Sequence, residues 1–376
     1  MFNLSLMLMC SEIFTKVDIV LGKSSFFNLK CLCNNLEIRL PENISISTKT
    51  ICEKETSWGA FVRTFMGGFQ FFKEYIFLGM DTCLISNYCN PFALPFILLL
   101  NRFLRKRVVI TCHGDLELLE KCPKTIWKPS FLYGIIFKSS FKYLLSKSNV
   151  SILVLGTSIK NNIIAIYPIV ENNIIAINHP YIFSGTNELP QHSDTLIIGA
   201  LGRLNKQKGL DSFLQIARHF NQQIQDGKLI VKSIGGKPYE INTKDWTNIK
   251  WGGECAMNRD EFEKEVNTLD YILCLYPVDS YKFTASGIIM DALRFLKPII
   301  GLRNNFLKTI PVHYKIGYIG DTMDEVIGFI DKELDQKTGS SVLISEMQKV
   351  QDLFKISYNA QLFNLALSKN FSIWSL

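Results

Sequence analysis

Five residues able to hold an anion fall within eight positions: Gly202, Arg203, Lys206, Lys208 and Gly209, in the stretch GALGRLNKQKGLDSFLQIARHF (199–220). The glycines let the backbone turn tightly. Arg203 offers a planar fork to phosphate oxygens and Lys208 a point charge. An apolar run precedes the cluster and an amphipathic pattern follows it. The cluster therefore sits where a strand hands over to a helix, whose free N–H groups favour an anion. The spacing is neither that of a Walker loop nor that of a dinucleotide fingerprint. On charge alone, a solvated basic loop fits equally well.

A second stretch, YPVDSYKFTASGIIMDALRFLKPII (276–300), carries complementary chemistry. Thr284, Ser286 and Gly287 precede a helical pattern, so their amides form a second anion-binding terminus. Asp291 falls about one turn inside. A carboxylate there can accept two ribose hydroxyls, or can simply complement the helix dipole. In the first half of the chain, RVVITC (107–112) reads as a strand that ends on His113-Gly114. Asp115 and Glu117 follow as candidates for acceptor contact or general-base work, with solvated loop carboxylates as the plain alternative.

The elements that must position these residues alternate. Strand-like segments are expected at 36–40, 82–86, 107–112, 150–156 and 173–177, then at 195–201, 229–234, 270–276, 297–301 and 315–319. Helices fit at 92–104, 124–147, 209–222, 258–268, 284–295, 322–334 and 343–368. Trp58, Val62, Phe65, Phe69 and Phe72 recur at steps of three and four and mark one face of another helix. The N-terminal run MFNLSLMLMCSEIF reads as a first strand rather than a signal peptide, and no transmembrane helix is expected. Residues 178–194 read as a linker. Alternating strands and helices imply two doubly wound parallel sheets, with ligands at strand carboxyl ends and in the cleft between domains. The expected domains are 1–185 and 186–376, with the last helix able to pack back on the first.

With 376 residues, 47% hydrophobic, the chain has ample material for two cores. A net charge of +7 suits a phosphate-bearing partner, but the basic residues are scattered rather than run together, which argues against nucleic acid. The 10 cysteines include no C-x-x-C pair, so zinc is not expected, and reduced thiols in a cytoplasmic protein are.

GRLNKQKGLDSFLQIA, followed by a small-residue turn and MDALRFLKPII, resembles the second domain of the family 4 glycosyltransferases. LIVKSIGG (229–236), NIKWGG (248–253) and LDYILCLYP (269–277) fall in that family's order. In the N-terminal half only VVITCHGDLE (108–117) and VLGTSIKNNI (154–163) are similar. The resemblance implies an α/β GT-B fold: two Rossmann-like doubly wound domains facing across a cleft. It places the phosphate-binding pair on Arg203 and Lys208, the turn whose amides touch the diphosphate on Ser286 and Gly287, the ribose-binding acid on Asp291, and a cleft histidine on His113; Gly202, at the end of the first strand, is a further donor-side candidate. It implies glycosyl transfer from a nucleoside diphosphate sugar to an acceptor hydroxyl, with retention and no essential metal or other cofactor. The family's two glutamates fall on Phe283 and Asp291. The first cannot accept a hydrogen bond, although YKFTASG looks like a Tyr-containing variant of the turn.

Segment 96–147 holds 10 Lys/Arg against 3 acids, interleaved with Trp127, Phe131, Tyr133, Phe137, Phe141 and Tyr143. Such a segment fits a core-facing aromatic stripe or an anionic membrane surface. The second option suits a glycan or polyprenyl-diphosphate-linked acceptor and a bacterial surface-polysaccharide enzyme at the inner face of the plasma membrane. Three other readings compete. A non-catalytic nucleotide-sugar-binding protein is supported by Phe283. A dehydrogenase would need G-x-G-x-x-G, which is missing. A GT-B epimerase would need more cleft carboxylates.

Overall fold

The computed structural model describes residues 1–49, 57–120, 129–183, 194–254, 257–278, 280–305, 307, 310, 314–336 and 341–371. The chain forms two compact units. The first comprises Met1–Ile182, Lys282–Ala285 and Phe354–Leu376; the second comprises Phe183–Tyr281 and Ser286–Leu353.

The first unit opens with a helix, α1 (Phe2–Ser11), where the sequence suggested a strand. The physical reason is composition. Phe2–Ser11 contains no β-branched residue, and Leu and Met are strong helix formers. Leu4, Leu6, Met7, Met9 and Cys10 are all buried, so α1 contributes to two core clusters at once. Strand β1 (Val17–Gly22), helix α2 (Lys23–Asn35) and β2 (Ile44–Lys49) follow, with β1 and β2 paired in parallel. The strand expected at 36–40 is not formed. Glu37 takes φ +54 at the end of α2 and Ile38 N–H donates back to the Cys33 carbonyl (2.9 Å), so the segment closes the helix instead.

Next come α3 (Ser57–Ile76), β3 (Cys83–Ser86), α4 (Ala93–Leu104), β4 (Arg107–Thr111), α5 (Pro129–Ser139), β5 (Val150–Leu155), α6 (Thr157–Ile166) and β6 (Ile174–Ile177). Strands β3 to β6 form a four-stranded parallel sheet in chain order. Strand β5 is buried along its whole length, as a central parallel strand covered on both faces must be. The expected helix over 124–147 is α5 continued by a π-helical turn and a 3₁₀ turn, and Trp127 lies outside the described residues. The helical face carrying Phe65 and Phe69 turns to solvent; α3 buries Gly68, Phe71 and Tyr75 instead.

The second unit contains β7 (Leu196–Leu201), α7 (Leu210–His219), α8 (Asn221–Gln225), β8 (Leu229–Ile234), β9 (Ile249–Trp251), α9 (Arg259–Asn267), β10 (Tyr271–Cys274), α10 (Gly287–Arg294), β11 (Ile299–Leu302), β12 (Gly317–Gly320), α11 (Met323–Gln336) and α12 (Ser341–Phe354). Its six strands are all parallel, in the order β9-β8-β7-β10-β11-β12. Numbered within the sheet this is 3-2-1-4-5-6, the Rossmann order, and its direction of growth reverses between β7 and β10. Most of the proposed linker, 184–193, lies outside the described residues. The long C-terminal helical pattern splits at Lys355 into α12 and α13 (Ile356–Asn370). Helix α13 belongs to the first unit and buries Ala360, Phe363 and Leu367 in the same cluster as α1 and β6.

Candidate functional site

Ligands of open parallel sheets bind outside the strand carboxyl ends at the point where strand order reverses. In the second unit that point lies between the ends of β7 and β10. A cavity of about 250 Å³ occupies it, lined by Leu201, Gly202, Lys208, Phe262, Tyr276, Tyr281, Gly287, Ile288 and Asp291.

The local turns explain how the chain reaches it. Gly202 follows β7 at φ +76, and its N–H donates to the Ile234 carbonyl (2.7 Å). A Cβ at Gly202 would lie 3.3 Å from Lys208 Nζ, so the ammonium sits directly over this turn. Lys206–Lys208 form one 3₁₀ turn, closed by Lys208 N–H donating to Asn205 Oδ1 (2.9 Å). Gly209 then takes φ +78 and starts α7, and a Cβ there would be 2.0 Å from the Leu275 carbonyl oxygen. Only glycine permits both the conformation and this close approach to the end of β10.

Lys208 is half-buried, and burial lowers its pKa below the ordinary lysine range. No carboxylate among the described residues pairs with it. A desolvated cation of this kind is costly alone and gains when an anion arrives. Gly287 opens α10, and its surroundings leave open space for a ligand. Ser286 is the buried N-cap, 3.4 Å from the Tyr276 hydroxyl. Asp291 lines the cavity one turn into α10, with Arg259 Nη2 3.6 Å from its carboxylate. Arg259 is itself held by Glu263 at 2.6 Å.

Four of the residues singled out in the sequence, Gly202, Lys208, Gly287 and Asp291, thus border one cavity, and Ser286 lies immediately beneath it. Arg203 does not line it. Its guanidinium rests 4.0 Å over the Tyr239 ring and donates to the Glu254 carbonyl (3.2 Å). Two aromatic walls, Phe262 and Tyr276, escaped sequence reasoning; the third, Tyr281, is the tyrosine of the YKFTASG turn. The two tyrosine rings stack at 4.4 Å, and Tyr281 adopts φ +57. Burial raises the Tyr276 pKa well above the usual phenol range, so it is a neutral donor. A larger cavity, about 1000 Å³, lies at the amino-terminal side of β8 and β9. There Arg218 stacks over Trp246 at 4.8 Å, and the strand carboxyl ends are remote. The smaller cavity is therefore the better candidate.

The first unit holds the remaining candidates. His113 follows β4, is half-buried, and has its pKa lowered by that burial. Its ring meets Phe2 edge-on at 4.5 Å. On the other side, Phe2 is 5.1 Å from His179, which follows β6 and is buried. Burial, then the neighbouring His113, pulls His179 down to about 4. Both imidazoles are neutral at pH 7, able to donate and accept hydrogen bonds without adding charge. His179 was missed because its segment reads as a linker; the available signal was a histidine just past an apolar strand, as at His113. Asp115 is half-buried, and desolvation raises its pKa. Glu117 accepts from Phe283 N–H (3.0 Å) and the Thr284 hydroxyl (3.2 Å). Phe283 itself is fully buried in the core of this unit. Among the described residues, no group of three or more His, Cys, Asp or Glu is placed to hold a metal.

No protein-family profile and no curated protein sequence matches the chain. Solved structures do match in fold. Anabaena Alr3699/HepE, in complex with UDP and glucose, is similar with a TM-score of 0.60 at 11% identity, covering 94% of this chain and 99% of that one. The lipopolysaccharide outer core galactosyltransferase WaaB has a TM-score of 0.56 at 12% identity, covering 94% and 99%. The catalytic domain of Starch Synthase IV from Arabidopsis thaliana, bound to ADP and acarbose, has a TM-score of 0.57 at 13% identity, covering 85% and 79%. The chain has a two-domain α/β architecture with parallel Rossmann-like sheets, the GT-B fold these structures share.

Proposed function

We propose that the protein is a glycosyltransferase, similar to family 4, that moves a sugar from a nucleoside diphosphate sugar to a hydroxyl of a glycan or lipid-linked acceptor. The observation that carries this is Lys208: a half-buried cation without a carboxylate partner among the described residues, beside Gly202, the amino end of α10 and Asp291. In this reading, Lys208 and the α10 amides neutralise the departing diphosphate; Arg203, which rests on Tyr239 and the Glu254 carbonyl, must swing away from both to join them. Charges aimed at a leaving group in a partly dry site contribute roughly 3–4 kcal/mol each to barrier lowering. Asp291 takes the ribose hydroxyls. His113 is assigned to the transferred sugar on the strength of the family resemblance; of the two acceptor-side candidates, Asp115, with its raised pKa, is favoured because Glu117 is engaged with Phe283 and Thr284. We assign retention of configuration and no metal requirement on the strength of the family resemblance. UDP in the HepE structure and ADP in the starch synthase structure make a nucleoside diphosphate the first ligand to try.

A second reading has one observation in its favour. Phe283 occupies the position of the family's first glutamate and is packed in a hydrophobic core, so no carboxylate reaches the donor from there. A nucleotide-sugar-binding protein without turnover would look the same. The experiment is a panel of nucleoside diphosphates and their sugars scored by thermal shift, followed by hydrolysis and transfer assays on those that bind. Binding with turnover supports the transferase. Binding without turnover selects the second reading, and no binding defeats both. Placement in surface-polysaccharide assembly at the cytoplasmic face of a membrane belongs to the same proposal. Among the described residues, no helix is long and apolar enough to cross a membrane.

A further inference from the structure

Helices α3 and α4 of the first unit are apolar on both sides. Their inner sides are accounted for: Phe71 and Tyr75 of α3 and Leu94, Ile97 and Leu98 of α4 enter the core over β4. Their outer sides carry Phe65, Phe69 and Ile76, with Phe77 in the turn just past α3, and Phe96, Leu99 and Phe103 on α4. Phe77 and Phe103 are each 79% exposed and Phe69 is 68% exposed, far beyond what scattered surface residues require.

These side chains form one surface because the helices lie side by side in a fixed register. At the middle of α3 and the start of α4, the Phe65 and Phe92 rings are 6.0 Å apart, and Asn90 Nδ2 donates to the Thr64 carbonyl (2.7 Å). Near their ends, the Tyr75 hydroxyl donates to Asn101 Oδ1 (3.1 Å), and Lys106 Nζ donates to the carbonyls of Tyr75 (3.1 Å) and Ile76 (2.8 Å). The helices therefore run parallel, which sets Phe69 level with Phe96 and Phe77 level with Phe103.

The charge around this surface selects its occupant. Residues 62–107 contain six Lys/Arg and two acids. Arg63, Lys73, Arg102 and Arg105 are exposed, and none has a carboxylate partner among the described residues. Of the two acids, Glu74 is engaged by Lys49 (3.1 Å), which leaves Asp81 exposed. A second copy of the chain would bring these four cations against their own likeness, a poor isologous contact. An anionic leaflet complements them, and aromatic side chains of this kind enter the headgroup boundary. We propose that the outer face of α3 and α4 docks on an anionic lipid surface, with the phenylalanines as wedges and Arg63, Lys73, Arg102 and Arg105 on the headgroups. The sequence pointed to residues 96–147 for such contact; Phe96, Leu99 and Phe103 fall inside that segment, while Phe65, Phe69, Ile76 and Phe77 lie outside it. The inference does not depend on the donor-site reading.

The test is flotation of the full chain with phosphatidylcholine vesicles, with and without phosphatidylglycerol, at low and high salt. The wild type should float with anionic vesicles at low salt and be released by salt. Lys73→Gln with Arg102→Gln should weaken partition roughly thirtyfold, from about a fivefold loss per basic residue. Phe77→Ser with Phe103→Ser should abolish flotation. These side chains are exposed, and nucleotide-induced thermal shifts on the same samples report whether fold and donor site are intact, so the two proposals fail separately. Absence of wild-type flotation at low salt would overturn the inference. So would flotation unchanged in both variants, or a wild-type dimer that the Phe77→Ser, Phe103→Ser variant dissociates.

Discussion

Replacing Lys208 by Met separates the anion-site reading from a structural role. The ammonium is half-buried with no acidic partner among the described residues, and its pKa is lowered by desolvation. A lysine whose folded pKa lies below its unfolded value binds its proton more weakly when folded, so the charged group costs stability at neutral pH. Lys208→Met keeps the stem and removes the charge; the melting temperature of the free protein should stay level or rise. With ligand the order reverses. A nucleoside diphosphate at 100 times its Kd stabilises the wild type by about 2.7 kcal/mol. For a unit of this size that raises Tm by roughly 5–10 °C. Losing one charge-assisted hydrogen bond costs about 2 kcal/mol, or roughly thirtyfold in affinity. At the same ligand concentration, the stabilisation of the variant then falls below about 1 kcal/mol. Differential scanning fluorimetry with and without UDP, GDP and ADP reads both numbers. An equal ligand shift in the two proteins would refute the argument. So would a large drop in Tm of the free variant, which would mean that the ammonium is a structural partner.

Three further outcomes follow from particular contacts. Asp291→Asn should weaken nucleoside diphosphate binding about tenfold while leaving inorganic pyrophosphate binding unchanged, because the carboxylate is assigned to the ribose; calorimetric titration compares the two ligands. Gly209→Ala forces φ +78 on an L-residue and drives its Cβ to 2.0 Å from the Leu275 carbonyl. It should cost roughly 3 kcal/mol or more in urea unfolding, beyond backbone strain alone. His179 has its pKa pulled from 6.5 to about 4. Its contribution to stability is therefore complete above pH 6.5 and is lost as the pH falls toward 4, by about 3 kcal/mol in all. His179→Gln should flatten that part of the pH–stability curve, measured by urea midpoints between pH 7 and 4.

The second unit was largely legible because its chemistry is local in sequence. Gly202, Lys208 and Gly209 sit on one strand–turn–helix passage, and Ser286, Gly287 and Asp291 on one helix start, so spacing put each group on its element, while the family resemblance alone gave it a role. What sequence could not supply were partners from distant positions. Phe2 brings His113 and His179 together although 66 positions separate the histidines. Glu117 reads as a free loop carboxylate until Phe283 and Thr284 are found donating to it. Periodicity showed that Phe65 and Phe69 share a helical face but not that the face looks outward, because α3 buries Phe71 and Tyr75 on the other side. The N-terminal run was ambiguous for a different reason: an apolar decamer without a period suits a strand or an all-round buried helix, and the absence of β-branching decided for the helix.

The most direct measurement is a crystal structure of the protein soaked with the nucleoside diphosphate that shifts its Tm most. The account predicts diphosphate oxygens within hydrogen-bonding distance of Lys208 Nζ and the Gly287 and Ile288 amides, with the ribose on Asp291. A nucleotide bound instead in the larger cavity beside Trp246, with the β7–β10 cavity empty, would contradict it.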